Sequence, residues 1–299
     1  MKNLDLVPQT DSQAEYTGQP RFNRRNFFRQ ASYFGLGAAV TGLALSGKTA
    51  MAQGSPSQIM DTTAEMFTAF LIAEDLATTF YYNGLIGAVI QDPNLAGPGG
   101  HATKVSSSGN PGNVNYLQAA LGQELSHANL FRNYLTGSQF GADSDPYQTF
   151  YFPAGTFDTL ANFLGILNAL ENAFIGAYLC LVQEMAYKAT LAATGKLLAA
   201  DKQYTAQHYE LYSKVAASIM GIECEHRVLG RVIGNQNPAN NLYAEQTDGL
   251  TAVYNGPNSA VVALTPFLTP STGPGYSLAT ARYNAAPLVV ASTGGTPTA

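Results

Sequence analysis

Six residues in this chain have the types and spacing to hold a pair of metal ions: Glu74, Glu124 with His127, Glu171, and Glu223 with His226. In order they spell E…ExxH…E…ExxH. Residues three apart share one face of a helix, so each ExxH offers a carboxylate and an imidazole side by side. Two such helices, with two more carrying one glutamate each, supply the side chains of a di-metal carboxylate bundle.

The pattern repeats. Glu74 and Glu171 are 97 positions apart, and Glu124–Glu223 and His127–His226 are each 99 apart. The segment from Gly122 to Arg132 aligns with that from Gly221 to Arg231 as GxExxHxxLxR, and the lone glutamates are each followed seven residues later by a tyrosine, Tyr81 and Tyr178. With ten glutamates in 299 residues, a glutamate should stand three before a given histidine about one time in thirty; two of the four histidines have one. This is an internal repeat of about 100 residues.

Apolar helical neighbours surround each glutamate: Phe67, Phe70, Leu71 and Ala77 around Glu74, Leu167, Phe174 and Ile175 around Glu171. Leu117, Leu121 and Phe131 accompany Glu124, and Ala216, Ile219 and Met220 accompany Glu223. A buried carboxylate is costly unless paired or bound to a cation. Four carboxylates with two imidazoles and no lysine on these stripes point to a cation. A proton-shared carboxylate cluster, or glutamates on helix surfaces, is the alternative.

Four helices must position these residues: about Asp61–Ile90, Asn113–Leu135, Phe157–Thr194 and Asp201–Ile233. Asp61, Asn113 and Asp201 are the expected caps, and Gly195 is the expected C-terminal stop of the third helix. Some 20 residues, Thr136–Thr156, separate the second and third helices, enough for a crossover along the bundle. The Gly/Ser/Pro-rich loop Gln91–Gly112 carries His101, read as a surface residue. His208, 15 residues before Glu223, is too far along its helix to join the same site.

Residues 1–52 read as an export signal. Asn23-Arg24-Arg25-Asn26-Phe27-Phe28-Arg29 resembles a twin-arginine motif, followed by an apolar Ala31–Gly47 stretch and an Ala50-Met51-Ala52 cleavage site. The expected location is periplasmic or secreted, with cleavage after Ala52. Six of the 15 basic and three of the 20 acidic residues lie in that segment, leaving 9 and 17 and a net charge of −8. That balance excludes nucleic acid as an expected partner.

Residues 53–233 form the expected bundle, and 234–299 an irregular Gly/Pro/Ser/Thr-rich extension docked on it, disordered from Ser292. Within it, Ala260–Leu264 and Leu288–Val290 read as brief strands or extended segments. Cys180 and Cys224 are expected to be free. Cys224 adjoins Glu223, whereas Cys180 lies about 13 Å along its helix from Glu171, and a disulfide needs Cα atoms within about 7 Å.

The set of residues 74–226 resembles the ferritin-like superfamily, with the two-histidine pattern of bacterioferritins and rubrerythrin-type proteins. The export signal, wide loops and long tail look like the exported desiccation-related, stress-associated branch. The resemblance covers about half the chain. It implies an all-α, left-handed ferritin-like four-helix bundle with one long crossover and two Fe or Mn ions per chain. Carried over, Glu124 and Glu223 would bridge the metals, Glu74 and Glu171 would be terminal, and His127 and His226 would each bind one ion.

The reaction so implied is oxidation of the metal pair by dioxygen or peroxide, or peroxide disproportionation by manganese. Iron storage and a metal-stabilised structural stress protein without turnover are the competing functions, and a homo-oligomer is an open option. Tyr81 and Tyr178 would either hydrogen-bond the site, carry an electron or simply pack. Arg132 and Arg231 would pair with carboxylates or lie on a solvated face, and Asp75 and Asn172 are candidates to orient a histidine.

Overall fold

The computed structural model describes residues 61–92, 113–137, 145–239 and 244–292. The export segment, His101 and the tail beyond Ser292 lie outside them. Four long helices dominate: α1 (Thr63–Ile86), α2 (Asn113–Thr136), α3 (Leu160–Ala193) and α4 (Ala206–Ile233). The fold is an all-α, ferritin-like four-helix bundle in which α1 packs on α2 and α3 on α4.

The caps differ from the sequence expectation at the first, second and fourth helices. Thr62 caps α1 in a reciprocal box with Glu65, whose carboxylate accepts the Thr62 N–H at 2.7 Å. Asp61 instead accepts the backbone N–H groups of Tyr254 and Asn255 at 2.6 and 2.9 Å, tying the extension to the start of α1. Thr205 caps α4, and His208 completes that box by accepting the Thr205 N–H at 3.0 Å. Asp201 is buried before it, taking the Lys188 ammonium at 2.5 Å and the Thr63 N–H at 3.0 Å. In both corrections a threonine satisfies the free helical N–H groups, and the nearby aspartate is used for a long-range contact. Asn113 is the first helical residue of α2 rather than its cap. Gly195 follows α3 as expected, in the left-handed region at φ 68°, and Lys196 N–H closes the turn on Leu191 O at 2.9 Å.

Burial explains why α1 is apolar on nearly every side. It lies against α2 on one flank and against a later helix, α6 (Leu278–Ser292), the sixth among the described residues, on another. A helix with no polar face is stable only when enclosed. Two apolar clusters form the core, one around Phe80, Phe163 and Leu121, the other around Phe70, Phe131 and Met185. Phe80 and Phe163 stack at 4.7 Å, with Phe163 pressed so close to Gly84 that a Cβ there would lie 2.3 Å from the ring. Each such buried ring contributes about 2 to 3 kcal/mol.

The extension is docked and more regular than its composition suggests. It contains the one-turn helix α5 (Ala260–Leu264), strand β2 (Gly275–Ser277) and α6. Strand β1 (Thr149–Tyr151), from the α2–α3 connection, pairs antiparallel with β2 in the register Phe150↔Tyr276. The runs Ala260–Leu264 and Leu288–Val290 are therefore helical, not extended. Leu278, Ala281, Ala285 and Leu288 recur at three- and four-residue spacing, and the first three are fully buried. Pro287 inside α6 disguises that period. Cys180 is buried and Cys224 half-buried, and neither forms a disulfide.

Candidate metal centre

The six residues come from four helices and meet at one point inside the bundle. Glu74 comes from α1, Glu124 and His127 from α2, Glu171 from α3, and Glu223 and His226 from α4. None is more than 6% exposed. Nδ1 of His127 lies 3.3 Å from Glu74 and 3.3 Å from Glu223, while Nδ1 of His226 lies 2.9 Å from Glu124 and 3.4 Å from Glu223. Two overlapping groups result: Glu74, Glu124, His127 and Glu223, and Glu124, Glu171, Glu223 and His226. Within each group the candidate ligand atoms lie within 4.8 Å of one another. Glu124 and Glu223 belong to both groups.

Polar atoms here lack partners. Both oxygens of Glu124 and Glu223, one oxygen each of Glu74 and Glu171, and Nδ1 of both histidines are buried without a hydrogen-bond partner among the described residues. An interior that leaves eight such atoms converging is one that a cation completes. The titration behaviour agrees. Burial pushes the Glu74 and Glu171 carboxyls well above the usual range; the nearby histidines oppose this, and Glu223 adds to it. Burial also raises Glu124, but His226 and contacts with His127 outweigh it and hold that carboxyl below the usual range. Both imidazoles are desolvated, yet the surrounding carboxylates hold them protonated well above their ordinary value. In the absence of metal, protons occupy the place of cations.

The flanking tyrosines bond the site crosswise. Tyr81 on α1 donates to Glu171 on α3 at 2.6 Å, and Tyr178 on α3 donates to Glu74 on α1. Each bond takes one carboxylate oxygen and leaves the other facing the centre.

Arg132 is fully buried and pairs with Asp75 at 2.8 Å and Asp145 at 2.7 Å, so it has the carboxylate partners expected of it. Asp145 also receives Arg282 of α6. Arg231 forms no ion pair among the described residues. Arg227 takes that role on its side, donating to Asn172 at 3.2 Å and to Glu245 at 2.9 Å. Asp75 and Asn172 thus hold arginines and do not orient the histidines; they point about 100° away from their glutamate neighbours around the helix. Sequence reasoning missed Arg227, Asp145, Glu245 and Gln123. Arg227 stands four residues after Glu223, a legible helical spacing, but the repeat aligns it with Ala128 and so hides it. Gln123 accepts from the outer nitrogen of His226, Nε2 to Oε1 2.9 Å.

A four-helix bundle enclosing E…ExxH…E…ExxH has the architecture of a ferritin-like carboxylate protein. Residues 62–208 match the family model of the ferritin-like domain, which supports the ferritin-like superfamily for the bundle. The matched span contains Glu74, Glu124, His127 and Glu171 and ends before Glu223 and His226. Comparison with curated proteins and with solved structures gives no match.

Proposed function

We propose that the bundle binds two ions of iron or manganese between the two groups, that the loaded protein reacts with dioxygen or peroxide, and that it is an exported protein of stress protection. The observation that carries the metal reading is the pair Glu124 and Glu223: both are fully buried, neither has a hydrogen bond to either oxygen among the described residues, and each is shared by both groups. Carboxylate oxygens with one imidazole per position suit hard-to-borderline divalent ions. Such a pair, when bound, supplies the electrons to reduce dioxygen or peroxide.

The chain's own residues prepare the site. Glu124 and Glu223, common to both groups, would serve both ions, Glu74 and Glu171 would serve one ion each, and His127 and His226 would present Nδ1. Tyr81 and Tyr178 keep the terminal carboxylates turned inward, while the two aromatic clusters on either side exclude bulk water. The export proposal rests on Arg24-Arg25 and the segment ending at Ala52. Assignment to the desiccation-related branch rests on that signal together with the long extension.

Elemental analysis of the purified protein, followed by peroxide and oxygen turnover on the same sample, tests the reading. About two Fe or Mn per chain is expected. Less than about half a metal per chain, with both metals supplied during expression, overturns it. Metal without turnover leaves the metal-stabilised structural reading, which the electrostatic strain of the metal-free carboxylate cluster favours as second choice.

A further inference from the structure

The repeat makes the two halves of the centre alike at almost every atom that faces inward. Each group has three carboxylates and one imidazole, each histidine presents Nδ1, and each terminal glutamate receives one tyrosine hydroxyl. The outer histidine nitrogens break the match. Nε2 of His226 on α4 is 2.9 Å from Oε1 of Gln123 on α2. The residue equivalent to Gln123, just before Glu223, is Ile222, which has no hydrogen-bonding side chain. No hydrogen bond to the outer nitrogen of His127 is formed among the described residues.

We infer that Gln123 is a positioning residue for His226, and that it makes the Glu171–His226 position the tighter of the two metal positions and the first to fill. The inference rests on the di-metal reading above. A carbonyl oxygen can only accept, so Gln123 Oε1 requires a proton on Nε2 of His226, and a neutral ring then has its lone pair on Nδ1, the atom facing the carboxylates. The same bond fixes the ring plane before any ion arrives and raises the basicity of Nδ1. His127 has no such bond to its outer nitrogen among the described residues. Neighbouring charge does not reverse the order. Asp75, next to Glu74, is neutralised by Arg132, while Asn172, next to Glu171, is uncharged and its partner Arg227 is neutralised by Glu245.

Two measurements on the full chain test this. In metal-free protein with ¹⁵N-labelled histidine, one imidazole Nε2–H should exchange slowly, vanish in Gln123→Leu and persist in Gln123→Glu, which retains an acceptor. Titration with cobalt(II) should fill wild type in two steps. Gln123→Leu should weaken the first step by about 10- to 100-fold and leave the second in place, whereas Gln123→Glu should keep the order. Thermal melting of the metal-free variants checks that the fold is retained. Two cobalt ions bound in Gln123→Leu with both steps unchanged, or both weakened alike, overturns the role of Gln123 and spares the di-metal reading. Wild type that binds no cobalt overturns both.

Discussion

Tyr81 donates its hydroxyl to Glu171, a residue on α3, and not to Glu74, which lies seven positions before it on its own helix; the bond is 2.6 Å and fully buried. Tyr178 makes the reciprocal bond to Glu74. Each lone glutamate is therefore held by the helix carrying the other. The two helices are locked to one another through the centre, by hydrogen bonds as well as by apolar packing.

Removing either hydroxyl should loosen that lock. Tyr81→Phe and Tyr178→Phe each leave a buried carboxylate oxygen without its donor, at a cost of about 1 to 3 kcal/mol in metal-free protein. Urea midpoints unchanged in both variants would show the bonds to be incidental.

Carboxylate roles should separate by stoichiometry. Glu124 lies in both groups, so Glu124→Ala should abolish binding at both positions, whereas Glu74→Gln should leave about one ion per chain. Equal losses in the two variants, measured by elemental analysis after dialysis, would contradict the assignment of Glu124 as shared.

Metal binding should strengthen with rising pH. His127 and His226 are held protonated in the metal-free centre, so each must release a proton before Nδ1 can bind an ion. Calorimetry in buffers of differing ionisation enthalpy should detect that release. Stability of the metal-free protein should run the opposite way. Glu74, Glu171 and both histidines have folded-state values raised above their unfolded ones, so their contribution is complete at low pH. It declines above about 4.3 for the carboxyls and above about 6.5 for the imidazoles, until the folded-state values are passed. Glu124, held below its ordinary value, contributes in the opposite sense. Denaturation midpoints that rise from pH 5 to 8 without metal would count against this balance.

The repeated arginines should differ sharply. Arg132→Ala strands Asp75 in the interior, leaves Asp145 with Arg282 alone, and should cost about 3 to 5 kcal/mol. Arg231→Ala, at a half-buried position with no ion pair among the described residues, should stay within about 0.5 kcal/mol. Comparable denaturant midpoints for the two would mean that the buried network adds nothing.

The repeated glycines should differ too. A Cβ on Gly122 would meet Leu288 of α6 at 3.2 Å, so Gly122→Leu should wedge α6 off the bundle at about 1 to 3 kcal/mol. At Gly221 nothing lies within 4 Å among the described residues, and Gly221→Ala should stabilise an exposed turn of α4 by about 0.5 to 1 kcal/mol. Thermal melts distinguish the signs.

The amino-acid sequence by itself determined the four helices, the six converging residues and their division into two half-sites. These depend on local period, and a helix carries residues i and i+3 to one face whatever surrounds it. Free thiols at Cys180 and Cys224 follow from the same axial geometry. Only the tertiary structure decided what depends on contact between elements distant in the chain. It crossed the tyrosines to the opposite glutamates, gave the arginine role beside Asn172 to Arg227 instead of Arg231, and turned Asp61 and Asp201 from caps into long-range anchors. It also folded the Pro-interrupted run around Leu288 into a helix against Gly122. Hydrogen-bond partners are chosen by proximity in space, so an internal repeat can predict equivalent positions without predicting equivalent partners. Gln123 and Ile222 occupy the same place in the two copies, and only the first has a side chain able to hold a histidine.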